Sequence, residues 1–277
     1  MSGRTIRVLT RAELDTLVEW AALEGWNPGL HDAEAFHAAD PEGFLGAFVD
    51  GDLAAGISAV RYGPDFGFIG LYICRAELRG KGHGKAVWDA GMERLSGCTI
   101  GLDAVPAQKA NYGRMGFVPA YRTFRYSGRI ETAGFDAEIR PVKPQDSALI
   151  AAFDRICFPA PRPSFLRQWT GDGHSALASV RDGAVKGYAV RRPCREGFKI
   201  GPLFAEDFET ATRLLSALAR GCDGDLHLDV PDGNPAFAET LLHAGMSRGF
   251  ETTRMYRGPA PDMAMSRIFA VTTLELG

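Results

Sequence analysis

The sequence predicts an α/β protein built from two similar lobes. An apolar strand, Phe68 to Ile73, leads into a glycine loop, Arg79 to Gly84, and then into a helix with apolar residues at helical spacing: Val87, Trp88, Met92 and Leu95. Asp-Gly turns between apolar runs, at Asp50 and again at Asp182, predict one β-hairpin in each half of the chain. Strands and helices therefore alternate, and they do so twice.

The elements before the glycine loop have clear local signals. Thr10 and Glu13 form a capping box, which predicts a helix start, and Leu14, Leu17 and Val18 give that helix an apolar stripe that ends at Gly25. Two hairpin strands are predicted at 44–49 and 53–61. A further strand is predicted at 99–104, after the helix that follows the loop.

Several landmarks recur in the same order at offsets of 126 to 132 residues, which indicates an internal repeat. The pairs are Asp50 with Asp182, Ile69 with Ile200, Asp103 with Asp229, Gly116 with Gly245, and Tyr126 with Tyr256. We therefore predict an N-terminal domain over 1–130 and a C-terminal domain over 137–277. The segment Glu131-Thr132-Ala133-Gly134 is interpreted as the linker.

The glycine loop predicts an anion site. Glycines allow a ligand to approach the backbone closely, and unpaired N–H groups at a helix N-terminus favour a negative charge such as a pyrophosphate. A P-loop is excluded because Arg79 stands where its first glycine belongs and Ala86 follows Lys85. A dinucleotide fingerprint is excluded because its third glycine is missing.

The segment from Arg79 to Gly84 has the order Arg-x-x-Gly-x-Gly and resembles the acetyl-CoA loop of the GNAT acyltransferase superfamily. The lead-in residues Ile73 and Glu77 also match. A second motif, Tyr112-x-x-x-Gly-Phe117, follows about thirty residues later. Glu24-Gly-Trp-Asn-Pro-Gly29, together with the segment 102–108, resembles a bacterial two-lobed subgroup of that superfamily.

The resemblance implies that each lobe is a mixed, mostly antiparallel sheet flanked by helices. It also implies that acetyl-CoA binds as a co-substrate and that no metal is needed. The cofactor-binding residues that it implies are Leu71, Tyr72, Ile73, Arg79, Gly80, Lys81, Gly82, His83, Gly84 and Lys85. Backbone N–H groups at 71–73 would hold the oxyanion. Tyr112 would protonate the departing thiolate, and its alternative role is that of a packed core side chain. Val105 stands where the family often has Asn, so this chain departs from the family at one pantetheine or helix-capping contact.

The acceptor site is predicted on the loop after the first helix, because this segment lines the acceptor pocket in the GNAT fold. Trp26, Asn27 and Asp32 are the candidates, and the alternative is that Trp26 anchors the core and Asn27 caps a turn. An amine is mostly protonated at neutral pH, so a base must remove a proton. Glu24 and Asp103 are the candidate bases, and either could instead be a structural carboxylate.

The second lobe lacks these motifs. Glu206-Asp-Phe-Glu-Thr-Ala211 replaces the glycine loop and brings three acids, and Leu241 replaces the tyrosine. We expect this degenerate lobe to shape the acceptor cleft, to contact the first lobe or to form an oligomer interface. The tail 259–277 contains a possible strand near Arg267 to Val271 that would return across a lobe edge.

Composition excludes several functional classes. The formal net charge of −3 offers no basic footprint for nucleic acid, and no apolar run has the length of a membrane span. The five cysteines are scattered and the six histidines show no ligand spacing, so neither a disulfide framework nor a metal site is predicted. We expect a cytoplasmic protein that is a monomer or a homodimer.

The sequence thus predicts an acetyltransferase that moves the acetyl group of acetyl-CoA to a primary amine by direct attack in a ternary complex. The acceptor is a small-molecule or peptide amine. Two alternatives stay open. One is an acyl-CoA-binding sensor or scaffold without turnover, and the other is an acyltransferase with a different acyl donor or acceptor.

Overall fold

A computed structural model describes residues 3–132, 134 and 136–277, so Ala133 of the predicted linker lies outside the described residues. The first half contains the predicted elements in their predicted order, and it also has an opening strand and a second helix that the sequence analysis did not predict. Its elements are β1 (Arg4–Val8), α1 (Arg11–Leu23), α2 (Asp32–Ala39), β2 (Phe44–Val49), β3 (Asp52–Tyr62), β4 (Phe66–Cys74), α3 (His83–Arg94), β5 (Thr99–Ala104), α4 (Pro106–Arg114) and β6 (Val118–Gly128). The Thr10–Glu13 capping box is present at the start of α1.

The second half repeats this succession and adds a short strand at its end. Its elements are β7 (Ile139–Pro141), α5 (Ser147–Cys157), α6 (Pro163–Trp169), β8 (Ser175–Arg181), β9 (Ala184–Pro193), β10 (Phe198–Ala205), α7 (Phe208–Ala219), β11 (Leu226–Pro231), α8 (Pro235–His243), β12 (Ser247–Arg257) and β13 (Ile268–Ala270). Asp50 and Asp182 both take a positive φ in their hairpin turns, as the Asp-Gly signal requires.

Among the described residues, thirteen strands form one sheet that both halves share. Its order is β1-β2-β3-β4-β5-β12-β6-β11-β10-β9-β8-β7, with β13 paired to β10. The final long strand of each half therefore pairs with a strand of the other half: β12 pairs with β5, and β6 pairs with β11. The division at 1–130 and 137–277 stays a prediction, while the sheet itself crosses it.

Two buried ion pairs mark this exchange of strands. Asp103 on β5 lies opposite Arg254 on β12, and both carboxylate oxygens accept hydrogen bonds from that guanidinium, at 2.9 and 2.7 Å. The repeat-related pair, Arg125 on β6 and Asp229 on β11, has the same two-bond geometry at 2.8 and 2.9 Å. Because paired charges tolerate burial far better than single ones, these contacts fix the register between the halves.

The apolar core is also continuous between the halves. Phe36 of α2 stacks on Trp169 of α6, with ring centroids 6.1 Å apart. Tyr62 of β3 meets Phe158, which follows α5, edge to face at 5.0 Å. All four rings are buried. Separating the halves would expose these aromatic faces to water, so the two lobes form one packed unit.

The tail does not lie at a lobe edge, contrary to expectation. The predicted strand forms as β13, but it lies where β10 and β11 diverge, with Val271 N–H donating to the Asp229 carbonyl at 2.9 Å. The last residues then enter the first half. Ser58 Oγ donates to the Glu275 carbonyl and Tyr62 Oη to the Leu276 carbonyl, each at 3.1 Å. The buried hydroxyls draw the tail inward because its carbonyls satisfy them.

Candidate active site

A cavity of about 510 Å³ opens where β4 and β5 part. The two strands pair in parallel as far as Ile69 and Leu102, after which β4 bends away. On its other side β5 pairs with β12 from Ile100 to Ala104. Both halves of the chain line the cavity. Its walls are formed by Glu24, Trp26, Ile69, Gly70, Leu71, Tyr72, Ile73, Cys74, Arg79, Leu102, Asp103, Val105, Gln108, Tyr112, Phe250, Thr252, Leu274 and Glu275.

The bend in β4 comes from a β-bulge. Leu71 has a φ of +45°, and the register against β3 shifts so that Leu71 and Tyr72 together oppose Ile57. Beyond Ile69 the edge of β4 that faced β5 has no ladder partner among the described residues. Backbone groups at 71–73 thus line the cavity without a neighbouring strand, as an oxyanion or amide-binding edge requires.

The glycine loop ends at the same side of β4. Gly80 and Gly82 have φ values of +77° and +81°, which L side chains rarely adopt. Gly82 is the N-cap of α3 and provides no side-chain cap, so the first N–H groups of that helix keep their capacity for an anion. Lys81 and Lys85 flank this N-terminus with exposed ammonium groups, although Lys85 also pairs with Asp89 at 2.6 Å.

Arg79 ties the loop to the end of α1. Its guanidinium donates to the Glu24 carboxylate at 2.6 Å and, through Nε, to the Cys74 carbonyl at 3.0 Å. Both partners of the ion pair are about half exposed. Glu24 does line the cavity, but an arginine of the predicted phosphate loop holds its carboxylate. This engagement weakens the case for Glu24 as a base.

Tyr112 stands on the far wall of the cavity, on α4. Its ring stacks on Trp88 at 5.4 Å and meets Phe117 edge to face at 6.1 Å, so it is packed against the core and also lines the cavity. Burial, aided by the nearby Tyr72 hydroxyl, raises the pKa of Tyr112 to about 12. A phenol with that pKa stays protonated at neutral pH and is therefore available as a proton donor.

Asp103 also faces the cavity, from the end of β5. Burial raises the pKa of its carboxyl, and the Arg254 guanidinium opposes that rise. Since Arg254 engages both oxygens, Asp103 has a structural task as well as its place beside the cavity. The structure therefore brings Tyr112, Asp103, Glu24 and Trp26 together around one space.

Asn27 and Asp32 do not line that space. The Asn27 amide bridges to the second half, donating to the Glu196 carbonyl at 2.8 Å and accepting from the Glu196 N–H at 3.2 Å. Asp32 is fully buried, accepts from Gly29 N–H at 2.8 Å and pairs with Arg192. Their placement favours contacts between the lobes, and it gives no support to a role in holding the acceptor.

Sequence analysis assigned no site role to Ile69, Gly70, Cys74, Leu102 or Gln108, which line the cavity from the first half. It also missed all four lining residues of the second half: Phe250, Thr252, Leu274 and Glu275. The first two reach the cavity on the exchanged strand β12, and the others reach it on the tail. Neither segment matches a motif. The composition of the tail does contain a signal, because Glu275 is an isolated acid in an otherwise apolar and hydroxyl-bearing run from Ile268 to Gly277.

The corresponding space of the second half is filled. β13 occupies the divergence of β10 and β11, and the Asn234 amide donates to the carbonyls of Met265 and Ile268 at 3.2 and 2.8 Å. At the N-terminus of α7 the Asp207 side chain accepts from Thr210 N–H at 2.7 Å. The chain itself therefore supplies the anion and the strand that a ligand would supply in the first half.

Other kinds of site find no support in the part of the chain that the structure describes. No group of three or more His, Cys, Asp or Glu residues there could hold a metal ion. All five cysteines carry unbridged thiols. Within the same described ranges, every helix is too short or too polar to cross a bilayer.

Comparisons with known proteins match both halves. A model of the acetyltransferase (GNAT) family matches residues 11–117, and a model of an acetyltransferase (GNAT) domain matches residues 150–270. The holothin acyltransferase of Pseudoalteromonas sp. is 32% identical over 265 residues, which cover 94% of this chain and 90% of that protein. The uncharacterized N-acetyltransferase YitH of Bacillus subtilis is 24% identical, with 83% of each chain covered.

Solved structures share the whole architecture. A putative acetyltransferase from Pyrococcus horikoshii has a TM-score of 0.84 at 21% identity, covering all of this chain and 97% of that one. A tandem GNAT protein from the clavulanic acid biosynthesis pathway has a TM-score of 0.62 at 14% identity, covering 93% of this chain and all of that one. The predicted two-lobed fold is thus confirmed, and the chain belongs to the GNAT family as a two-lobed N-acetyltransferase or acyltransferase.

Proposed function

We propose that this enzyme transfers the acetyl group of acetyl-CoA to the primary amine of a small molecule by direct attack in a ternary complex. The observation that carries the proposal is a glycine loop with an uncapped helix N-terminus, whose Arg79 reaches the cavity wall, together with an unpaired strand edge and a partly buried tyrosine that both line the cavity. The first suits a pyrophosphate, the second an amide-bearing chain and the third a leaving thiolate. The 1–130 lobe holds this machinery, and the 137–277 lobe completes the wall.

The residues present fit an acyl-CoA. The N–H groups at 82–85 and the cations Arg79, Lys81 and Lys85 favour the diphosphate, and the loop glycines leave room for it. The β4 edge at Leu71, Tyr72 and Ile73 suits the amide groups of the pantetheine arm. When bound, acetyl-CoA supplies an acyl group activated as a thioester. The GNAT family generally uses acyl-CoA, and the acetyl chain is our specific assignment.

The residues of this chain then handle charge and protons. Backbone N–H groups near Leu71 stabilise the negative charge that develops on the carbonyl oxygen. Tyr112 donates its phenolic proton to the sulfur that leaves, and its raised pKa keeps that proton in place until it is needed. The walls contributed by Trp26 and Phe250 limit the access of water to the thioester.

The acceptor is proposed as a small-molecule amine. The related enzyme of Pseudoalteromonas is named for the acylation of holothin, and it aligns with almost the whole of this chain. The cavity volume of about 510 Å³ lies in the range of small-molecule sites. The unbridged thiols agree with a reducing cytoplasm, in which the enzyme would work as a monomer or homodimer.

Calorimetric titration with acetyl-CoA and with CoA tests the proposal. We expect micromolar binding by the wild type and its loss in the Gly82→Glu, Gly84→Glu variant, because two carboxylates would face the diphosphate. Release of free thiol in the presence of an amine panel that includes holothin then tests transfer. Absence of acetyl-CoA binding by the folded wild type would refute the enzyme, and tight binding without transfer to any amine would favour a sensor or scaffold.

A further inference from the structure

Glu275 is a buried acid at the cavity wall whose carboxylate lacks a direct partner. The residue is only 3% exposed, yet it lines the cavity. Its main chain is fixed, since its carbonyl accepts from Ser58 Oγ at 3.1 Å and its N–H donates to Thr273 Oγ1 at 3.1 Å. Among the described residues, no donor forms a hydrogen bond with its carboxylate. No cationic side chain of the described residues lies within 4 Å of that carboxylate, the limit for an ion pair. A buried anion in that state calls for a cationic guest.

The cations around Glu275 are already engaged elsewhere. Arg125 is held by Asp229, and Arg192 by Asp32. Lys199 donates to the Trp26 carbonyl at 2.8 Å. Each of them feels the Glu275 charge at longer range, as when Glu275 opposes the fall in the pKa of Lys199 that burial causes. Among the described residues, none of these three cations lies within ion-pair distance of the Glu275 carboxylate.

The other acids of the lining are also engaged. Arg254 holds both oxygens of Asp103, and Arg79 holds Glu24. Of the three acids that line the cavity in the described chain, Glu275 is therefore the one whose oxygens remain available to a ligand. Apolar and aromatic side chains make up much of the same lining: Trp26, Ile69, Leu102, Phe250 and Leu274.

We propose that Glu275 is the ammonium-binding and proton-accepting residue of the acceptor site, and that the acceptor is a compact, predominantly apolar primary amine. This inference rests on the proposed function. An enclosed carboxylate recognises one ammonium group, and the apolar wall takes a short hydrocarbon or aromatic body. A peptide tail, which carries polar backbone groups at every residue, would leave many of them unsatisfied there.

The acceptor nitrogen loses two protons in the proposed step. The ammonium nitrogen gives one proton to Glu275, and its lone pair then forms the N–C bond at the acyl carbon. The C–S bond breaks, and the sulfur takes the proton of Tyr112. The second proton lost by nitrogen restores the Tyr112 hydroxyl, and the proton on Glu275 passes to solvent. The products are an amide, a thiol and one released proton.

Binding tests this assignment without turnover. Phenethylamine and phenethyl alcohol are titrated in the presence of CoA against the wild type, Glu275→Gln and, as a matched control, Asp262→Asn, which changes an exposed acid of the same tail. We expect the wild type and the control to prefer the amine by about 10- to 100-fold, the range for hydrogen bonds to charged groups, and Glu275→Gln to lose that preference. An equal preference in Glu275→Gln, or none in the wild type, would overturn the assignment.

Turnover tests the proton transfer. Acetylation of phenethylamine, which is an ammonium ion at neutral pH, is compared with acetylation of aniline, whose nitrogen is already neutral. We expect Glu275→Gln to lower kcat for phenethylamine by about 100-fold or more and to change aniline acetylation only a few-fold. Equal losses on both amines would overturn the role as proton acceptor, and acetylation of neither amine by the wild type would overturn the substrate class.

The two proposals fail separately. Acetyl-CoA binding is measured on the same three proteins, and its absence in the wild type defeats the proposed function. Intact acetyl-CoA binding by Glu275→Gln, together with an unchanged melting temperature, shows that the variant folds. Unchanged amine selectivity in such a protein defeats only the role of Glu275.

Discussion

The buried pair between Asp103 and Arg254 gives a quantitative test of how the lobes hold together. The two side chains are only 1% and 5% exposed, and the guanidinium satisfies both carboxylate oxygens. In Asp103→Ala the arginine keeps its charge in a buried position without a partner. Removing one member of such a pair costs about 3–5 kcal/mol of the free energy of unfolding.

This loss in the free energy of unfolding should lower the melting temperature by a measurable amount. An unfolding entropy of about 2.1 cal/mol/K per residue gives roughly 0.6 kcal/mol/K for 277 residues, so Asp103→Ala should lower Tm by about 5 to 9 °C. Differential scanning calorimetry is the assay. The repeat-related Asp229→Ala should fall by a similar amount, since Arg125 is then left in the same position.

Two further variants test whether the burial of an ion pair, and not its mere presence, determines this loss of stability. Asp15→Ala removes one partner of an exposed helical pair with Arg11, and it should change the stability by less than about 1 kcal/mol. The double variant Asp103→Leu, Arg254→Met removes both buried charges and should recover most of the loss. Either of two results would refute this account of the buried pair. One is a Tm of Asp103→Ala within 1 to 2 °C of the wild type. The other is a double variant that is less stable than Asp103→Ala by about 1 kcal/mol, a margin that calorimetry resolves reproducibly.

Three further predictions concern the cavity. Tyr112→Phe should lower kcat by about 100-fold, the scale of general acid catalysis, and leave the Kd of acetyl-CoA nearly unchanged. Because the pKa of Tyr112 is raised to about 12, the wild-type rate should show no loss from tyrosine ionisation below about pH 10. A steady decline of the rate from pH 8 would contradict the role of Tyr112 as general acid. Gly82→Glu should weaken acetyl-CoA binding strongly in calorimetry. Gly97 has a similar φ of +85° in an open turn, so Gly97→Glu should show the same backbone strain without the loss of affinity. Glu24→Gln should keep kcat within a few-fold of the wild type and should bind acetyl-CoA slightly more tightly, because the substitution releases Arg79 for the phosphates. A large loss of kcat with unchanged affinity for acetyl-CoA would instead support Glu24 as the base.

Local signals explain why so much of the fold is predictable. The capping box of α1, the Asp-Gly turns and the strand before the glycine loop each depend on residues that are neighbours in the chain. The repeat is visible because both lobes keep the same order of such signals. Tyr112 was identified in the same way, from a short motif on one helix.

The sequence by itself determined the two-lobed α/β plan, the loop that opens α3 and the tyrosine that faces the cavity. Only the tertiary structure decided that β6 and β12 change places, that Asp32 is taken by Arg192 and that Glu275 reaches the cavity from the tail. The physical reason is distance along the chain. Contacts such as Ser58 to Glu275, 217 residues apart, depend on which surfaces pack after the elements have formed, and no local pattern of residues records that choice.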